Sequence, residues 1–143
     1  MFAITKKLWL NASPAAVFEA LTSSDKIVQY YPLTEVSSTW QPGGEILLKG
    51  RSGDQDFTDY GTIEVLLPNQ QFQYRYWSDN HGTERLPENH LTICYGLEPA
   101  DFGTRLKLEQ QNLQSEAMYL QMLQVWDLLL ANLKAFVESS GST

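Results

Sequence analysis

The C-terminal part of the chain restricts the possible architecture more than any other segment. From about Ser115, apolar residues recur in steps of three and four: Met118, Met122, Val125, Leu129, Leu133 and Phe136. Tyr119, Leu123, Trp126, Leu130 and Val137 widen the band, and Asp127 and Lys134 mark its other side. This period predicts a helix. The band is so broad that the helix must be covered over much of its circumference. Its densest stretch, "QVWDLLLANLKAFVESS", is interrupted by Asp127 and Lys134. It falls short of the roughly 20 apolar residues that span a bilayer. No membrane span is expected, and the cover must come from protein.

The preceding segments can supply that cover. "AITKKLWL" alternates enough to put Ile4, Leu8 and Leu10 on one side of a strand. "NASPAAVFEALTSSDK" then carries a helix-start signal, with Ser13 as the cap and Pro14 at the first helical position. A second short helix over "SSDKIVQYYP" is capped by Ser24 or Asp25 and stops before Pro32.

The middle of the chain is β-rich. "TEVSSTW" and "EILLKG" flank the turn "QPGG", and "FTDYGTIEVLL" follows, with Gly61 marking a bulge or a close approach. In "QFQYRYW", Phe72, Tyr74 and Tyr76 alternate with Gln71, Gln73 and Arg75. Leu91, Ile93, Tyr95 and Leu97 share a face against Thr92 and Cys94, and Leu106 and Leu108 stand against Arg105, Lys107 and Glu109. The hairpin-length connections predict an antiparallel sheet of six or seven strands and leave no room for crossover helices. The expected fold is α+β, one domain over residues 1–143, with the curved sheet around the long C-terminal helix.

Charge and cysteine content narrow the function. Ten basic and 17 acidic residues leave a net charge of -7, the wrong sign for a phosphate-backbone footprint, so no nucleic-acid partner is expected. The single cysteine, Cys94, excludes an intramolecular disulfide. With no secretory leader read at the N-terminus, a cytoplasmic location is expected.

The order of elements and four local pieces resemble the START-like (SRPBCC) superfamily. Those pieces are "NASPAAVFEALTSSDKIVQYY", "WQPGGEI", "DYGTIEVLLPNQQFQYRYW", and "TRLKLEQ" with the later "VWDLLLANLKAFVE". The superfamily's helix-grip domains include the birch-pollen allergen, the polyketide cyclases and the C-terminal domain of the heat-shock-chaperone ATPase activator. The chain looks most like bacterial relatives of that activator domain. It departs from their pattern at Tyr30 and Tyr31, where tryptophan is frequent, and at Val125, where glycine is frequent.

The resemblance implies a cavity between sheet and closing helix for a hydrophobic or aromatic small molecule. Met118, Met122, Trp126 and Leu129 are the candidate residues of the helix wall. Phe72, Tyr74, Tyr76, Ile93 and Tyr95 are those of the sheet wall. The alternative is a filled core. The activator relationship also implies a protein-interaction module, with a protein partner or a homodimer, and the cyclases imply an enzyme.

Catalytic signals are weak. His81 and His90 bound a loop with Asp79, Glu84 and Glu88 but match no zinc spacing, so neither metal nor cofactor is expected. "SGDQDFTD" lacks the central glycine and terminal glutamate of a calcium loop, and Asp54, Asp56 and Asp59 read as an acidic turn. Arg51, Arg75, Arg105 and Glu64 are polar handles only if they face inward, and strand charges usually face water. Cys94 has no histidine–aspartate constellation and reads as a buried, inert thiol.

Overall fold

The computed structural model describes residues 2–78 and 83–140. The elements run β1 (Phe2–Leu10), α1 (Pro14–Leu21), α2 (Ser24–Tyr30), β2 (Glu35–Ser38), β3 (Glu45–Ser52) and β4 (Gln55–Leu67). They continue with β5 (Gln71–Ser78), β6 (Leu91–Ala100), β7 (Gly103–Leu113) and α3 (Glu116–Ser140). The seven strands form one antiparallel sheet in the order β1-β7-β6-β5-β4-β3-β2. Strands β2 to β7 are each paired with the next in sequence. β1 instead pairs with β7, so α1 and α2 carry the chain from one sheet edge to the other. The architecture is the expected helix-grip fold, with seven strands.

Local chemistry accounts for most boundaries. The Ser13 side chain accepts from the Ala16 backbone N–H at 3.1 Å, and Pro14 occupies the first turn of α1. The cap of α2 differs from expectation: Ser23 holds that position, without a side-chain hydrogen bond, and Ser24 is already helical. The Ser24 hydroxyl instead accepts from Trp40 Nε1 at 3.1 Å, tying α2 to the end of β2. β3 and β4 are joined by Gly53 and Asp54, with Gly53 at a φ of +63°. Gly61 marks a close approach: an added β-carbon would lie 3.1 Å from the Tyr74 ring. The bulge falls further along β4, between Ile63 and Val65.

The inner face of the sheet carries the alternating residues read from sequence. Ile4, Leu10, Ile63, Leu91, Ile93, Leu106 and Leu108 are buried there. On α3, Trp126, Leu129, Leu130, Leu133 and Val137 are buried, whereas Met118, Tyr119, Met122, Leu123 and Val125 are half-buried. The apolar band is therefore covered more fully over the C-terminal half of the helix than over its N-terminal half. Leu120 and Leu128 are exposed on its outer side. Asp127 crosses back to β1, where its Oδ1 lies 2.7 Å from Lys6 Nζ. No helix among the described residues is long and apolar enough to cross a membrane.

Candidate functional site

Two spaces adjoin the inner face of the sheet, and Tyr31 borders both. The inner one is lined by Leu21, Ile27, Tyr30, Tyr31, Trp40, Ile46, Leu48, Phe72, Tyr74 and Tyr95. Its volume is about 30 Å³, the scale of one water molecule. Aromatic rings fill what would otherwise be a ligand chamber. Phe72 stacks on Tyr74 at 5.0 Å and on Tyr95 at 6.0 Å, and Trp40 meets Phe72 edge-on at 6.0 Å. Tyr95 meets Trp126 edge-on at 6.1 Å, which extends the aromatic packing to α3.

The outer space, about 450 Å³, lies between the N-terminal half of α3 and the strands β4 and β5. Small-molecule sites commonly occupy 300–1,000 Å³, so this mouth has the capacity that the inner void lacks. Met118, Met122 and Val125 form its helix side, and Phe57, Tyr76, Tyr31 and Pro32 much of the rest. Asp59 and Ser78 contribute its buried polar groups, with 4% and 2% of their surface exposed. They are direct cross-strand partners, and Tyr76 follows on the same face. The Tyr76 hydroxyl donates to Asp59 Oδ2 at 2.7 Å.

Burial, followed by the charges of neighbouring residues including Asp59, pushes the phenols of Tyr31 and Tyr76 well above their ordinary pKa. At neutral pH these groups are uncharged donors. A methionine wall facing neutral phenols and one carboxyl group suits an apolar body with a polar end.

The residues expected to line one cavity thus separate. Phe72, Tyr74 and Tyr95 border the inner void, and Tyr76, Met118 and Met122 border the mouth. Ile93, Trp126 and Leu129 line neither space and pack in the core. Sequence reasoning assigned no site role to Asp59, Tyr31 or Trp40. Asp59 belongs to β4 and not to an acidic turn, which corrects that expectation. The period of two was the available signal, because Phe57, Asp59, Gly61 and Ile63 share one phase.

The remaining polar candidates lie elsewhere. Arg51 sits 3.6 Å from Asp56, Arg105 4.0 Å from Glu98, and Arg75 donates to the Pro87 carbonyl at 2.7 Å. Glu64 accepts from Gln73 at 3.2 Å. None of these four lines the mouth or the inner void. His90 Nδ1 lies 2.6 Å from the Leu86 carbonyl, and no group of metal-ligating side chains occurs among the described residues. Asp79 and His81 lie outside the described residues. Cys94 is half-exposed on the outer sheet face and not buried as expected. Desolvation is the main cause that pushes its thiol pKa up, which disfavours the nucleophilic thiolate.

A curved antiparallel sheet closed by a long C-terminal helix, with a mouth beside the N-terminal half of that helix, defines a START-like helix-grip domain. The sequence profile of the family described as "Activator of Hsp90 ATPase homolog 1-like protein" matches residues 11–138, and the chain belongs to that family. Protein ChR145 from Cytophaga hutchinsonii is similar over 100% of this chain and 98% of its own, at 29% identity and a TM-score of 0.84. The Aha1 dimer from Colwellia psychrerythraea aligns over 96% and 97% at 20% identity and a TM-score of 0.75. Ara h 8.0201 aligns over 96% and 98% at 14% identity and a TM-score of 0.78. The last two likenesses concern the fold alone. No curated protein matches the sequence.

Proposed function

We propose that this chain is a cytoplasmic small-molecule-binding domain for a hydrophobic or aromatic ligand, held at the mouth between α3 and strands β4 and β5. The observation that carries this reading is the 450 Å³ space bordered by Met118, Met122 and Val125, with buried Asp59 and Ser78 in its wall. Burial of an apolar body against the methionines supplies the affinity, and the few polar groups set its orientation. The partial cover over the N-terminal half of α3 leaves the room for it.

The three methionines of the chain are Met1, Met118 and Met122, so methyl NMR with labelled methionine isolates the site. Titration with naphthylmethanol shifts Met118 and Met122 and leaves Met1 in place. Unchanged Met118 and Met122 signals up to the solubility limit of the probe refute the reading. Native mass spectrometry of protein purified from its own host then identifies the resident molecule.

A second reading, a protein-interaction module or homodimer, is favoured by Leu120 and Leu128. Both are more than half exposed on the outer side of α3, at 51% and 59%. Sedimentation analysis tests the homodimer, and a strictly monomeric species at high concentration removes it.

A further inference from the structure

A tyrosine forms the wall shared by the inner void and the mouth. Tyr31 closes the C-terminus of α2 with an extended backbone. Its N–H donates to the Ile27 carbonyl at 2.9 Å, and its own carbonyl accepts from the Leu33 N–H at 2.7 Å. Pro32 follows and restricts the main chain further. With the backbone held on both sides, the partition opens by rotation of the half-buried side chain.

Tyr74 and Tyr95 also border the void, 6% and 7% exposed. Strand register sets Tyr74 opposite Ile93 and Tyr95 opposite Phe72, so the two phenols are diagonal neighbours on the inner face. Two further polar side chains around the void are engaged: Tyr30 donates to the Ala20 carbonyl at 3.0 Å, and Trp40 Nε1 to the Ser24 hydroxyl. The hydroxyls of Tyr31, Tyr74 and Tyr95 make no hydrogen bond to any described residue. A buried hydroxyl without a partner costs free energy, and a group that supplies one recovers it.

The lining also decides the charge of that group. Among the described residues around the void there is no Asp, Glu, Lys, Arg or His. Desolvation, the largest cause in each case, keeps the three phenols protonated at neutral pH. An ionised ligand group would therefore be buried without a counter-charge. At about 30 Å³ the void admits a polar tip and no ring.

We infer that the ligand of the mouth carries a small neutral oxygen function, a hydroxyl or a carbonyl, and that this end passes Tyr31 to accept hydrogen bonds from Tyr74 and Tyr95. This rests on the small-molecule reading above and adds the chemical class of the ligand. The apolar body stays against Met118 and Met122, where the mouth has room.

Naphthylmethanol, methylnaphthalene and naphthoate share one ring system and differ at the tip. Each is titrated at neutral pH against the wild-type chain labelled at methionine methyls and tyrosine Cζ, with Tyr74→Phe and Tyr95→Phe assigning the tyrosine signals. The alcohol is expected to move Met118, Met122, Tyr74 and Tyr95 on one saturation curve, and to bind at least about tenfold tighter than naphthoate. Its affinity relative to methylnaphthalene should fall at least about threefold when both tyrosines are phenylalanine. The wild-type Cζ signals decide the matter even if that double variant does not fold. Alcohol binding that leaves the Tyr74 and Tyr95 signals in place, an unchanged ratio in the folded double variant, or naphthoate binding as tight as the alcohol overturns the inference and leaves the small-molecule reading standing. Unmoved Met118 and Met122 signals with every probe overturn both.

Discussion

Trp126 of α3 donates its indole N–H to Gln110 Oε1 of β7 at 2.7 Å, in a core where both residues are at most 1% exposed. The bond joins the closing helix to the sheet across 16 residues of sequence. A buried tryptophan requires such a partner, and a buried glutamine does too. Trp126→Phe leaves the amide of Gln110 without this donor and is expected to cost about 1–3 kcal/mol beyond the lost ring volume. Gln110→Leu combined with Trp126→Phe recovers part of that loss. Denaturant unfolding of the four species should give a coupling of roughly 0.5–3 kcal/mol, and zero coupling contradicts a shared bond.

The grip on α3 is one-sided, and neighbouring leucines report it. Leu129 is 4% exposed and Leu128 is 59% exposed. Leu129→Ala should destabilise the fold by about 2–5 kcal/mol. Leu128→Ala should stay within about 0.5 kcal/mol, as a surface change does. Chemical denaturation measures both, and similar losses at the two positions would contradict the burial pattern.

The C-terminal end of α3 is tied down by charge. Glu138 Oε2 accepts from Lys134 Nζ at 2.5 Å and from the Asn11 N–H at 2.8 Å. The lysine bond, followed by the backbone bond, lowers the Glu138 pKa below its ordinary 4.5. A lowered folded-state pKa gives a contribution that is complete above the ordinary glutamate value and is lost as pH falls through the lowered one. Carboxyl NMR should show Glu138 titrating below 4.5. Glu138→Gln should remove this component from the acid arm of the stability curve, and an unchanged acid arm would refute it.

Cys94 offers a chemical test of the outer face. Burial lifts its thiol pKa, and the hydrogen bond from Gln71 at 3.4 Å opposes the shift only in part. Iodoacetamide at neutral pH should modify it more slowly than an unstructured cysteine peptide. Gln71→Ala removes the opposing bond and should slow it further. A rate above that of the peptide would contradict the raised pKa.

The helix-grip architecture was legible because its signals are local and periodic. The period-two faces of β5, β6 and β7, the Ser13–Pro14 start of α1 and the broad apolar band of α3 each follow from side chains a few residues apart. The candidate site was legible only as a set of apolar types. Phe72 and Tyr76 share a strand face, yet one borders the inner void and the other the mouth. Asp59 resembled a turn residue because Asp54 and Asp56 precede it, and its place became clear through its pairing with Ser78.

By itself, the sequence determined which faces must be buried, because apolar periodicity dictates burial whatever lies opposite. The tertiary structure decided how well each buried face is filled. Phe72, Tyr74, Tyr95 and Trp40 converge from β5, β6 and the loop after β2 to close the inner void, while cover over Met118 and Met122 remains partial. Residual volume depends on side chains brought together from distant positions, and no local pattern encodes it.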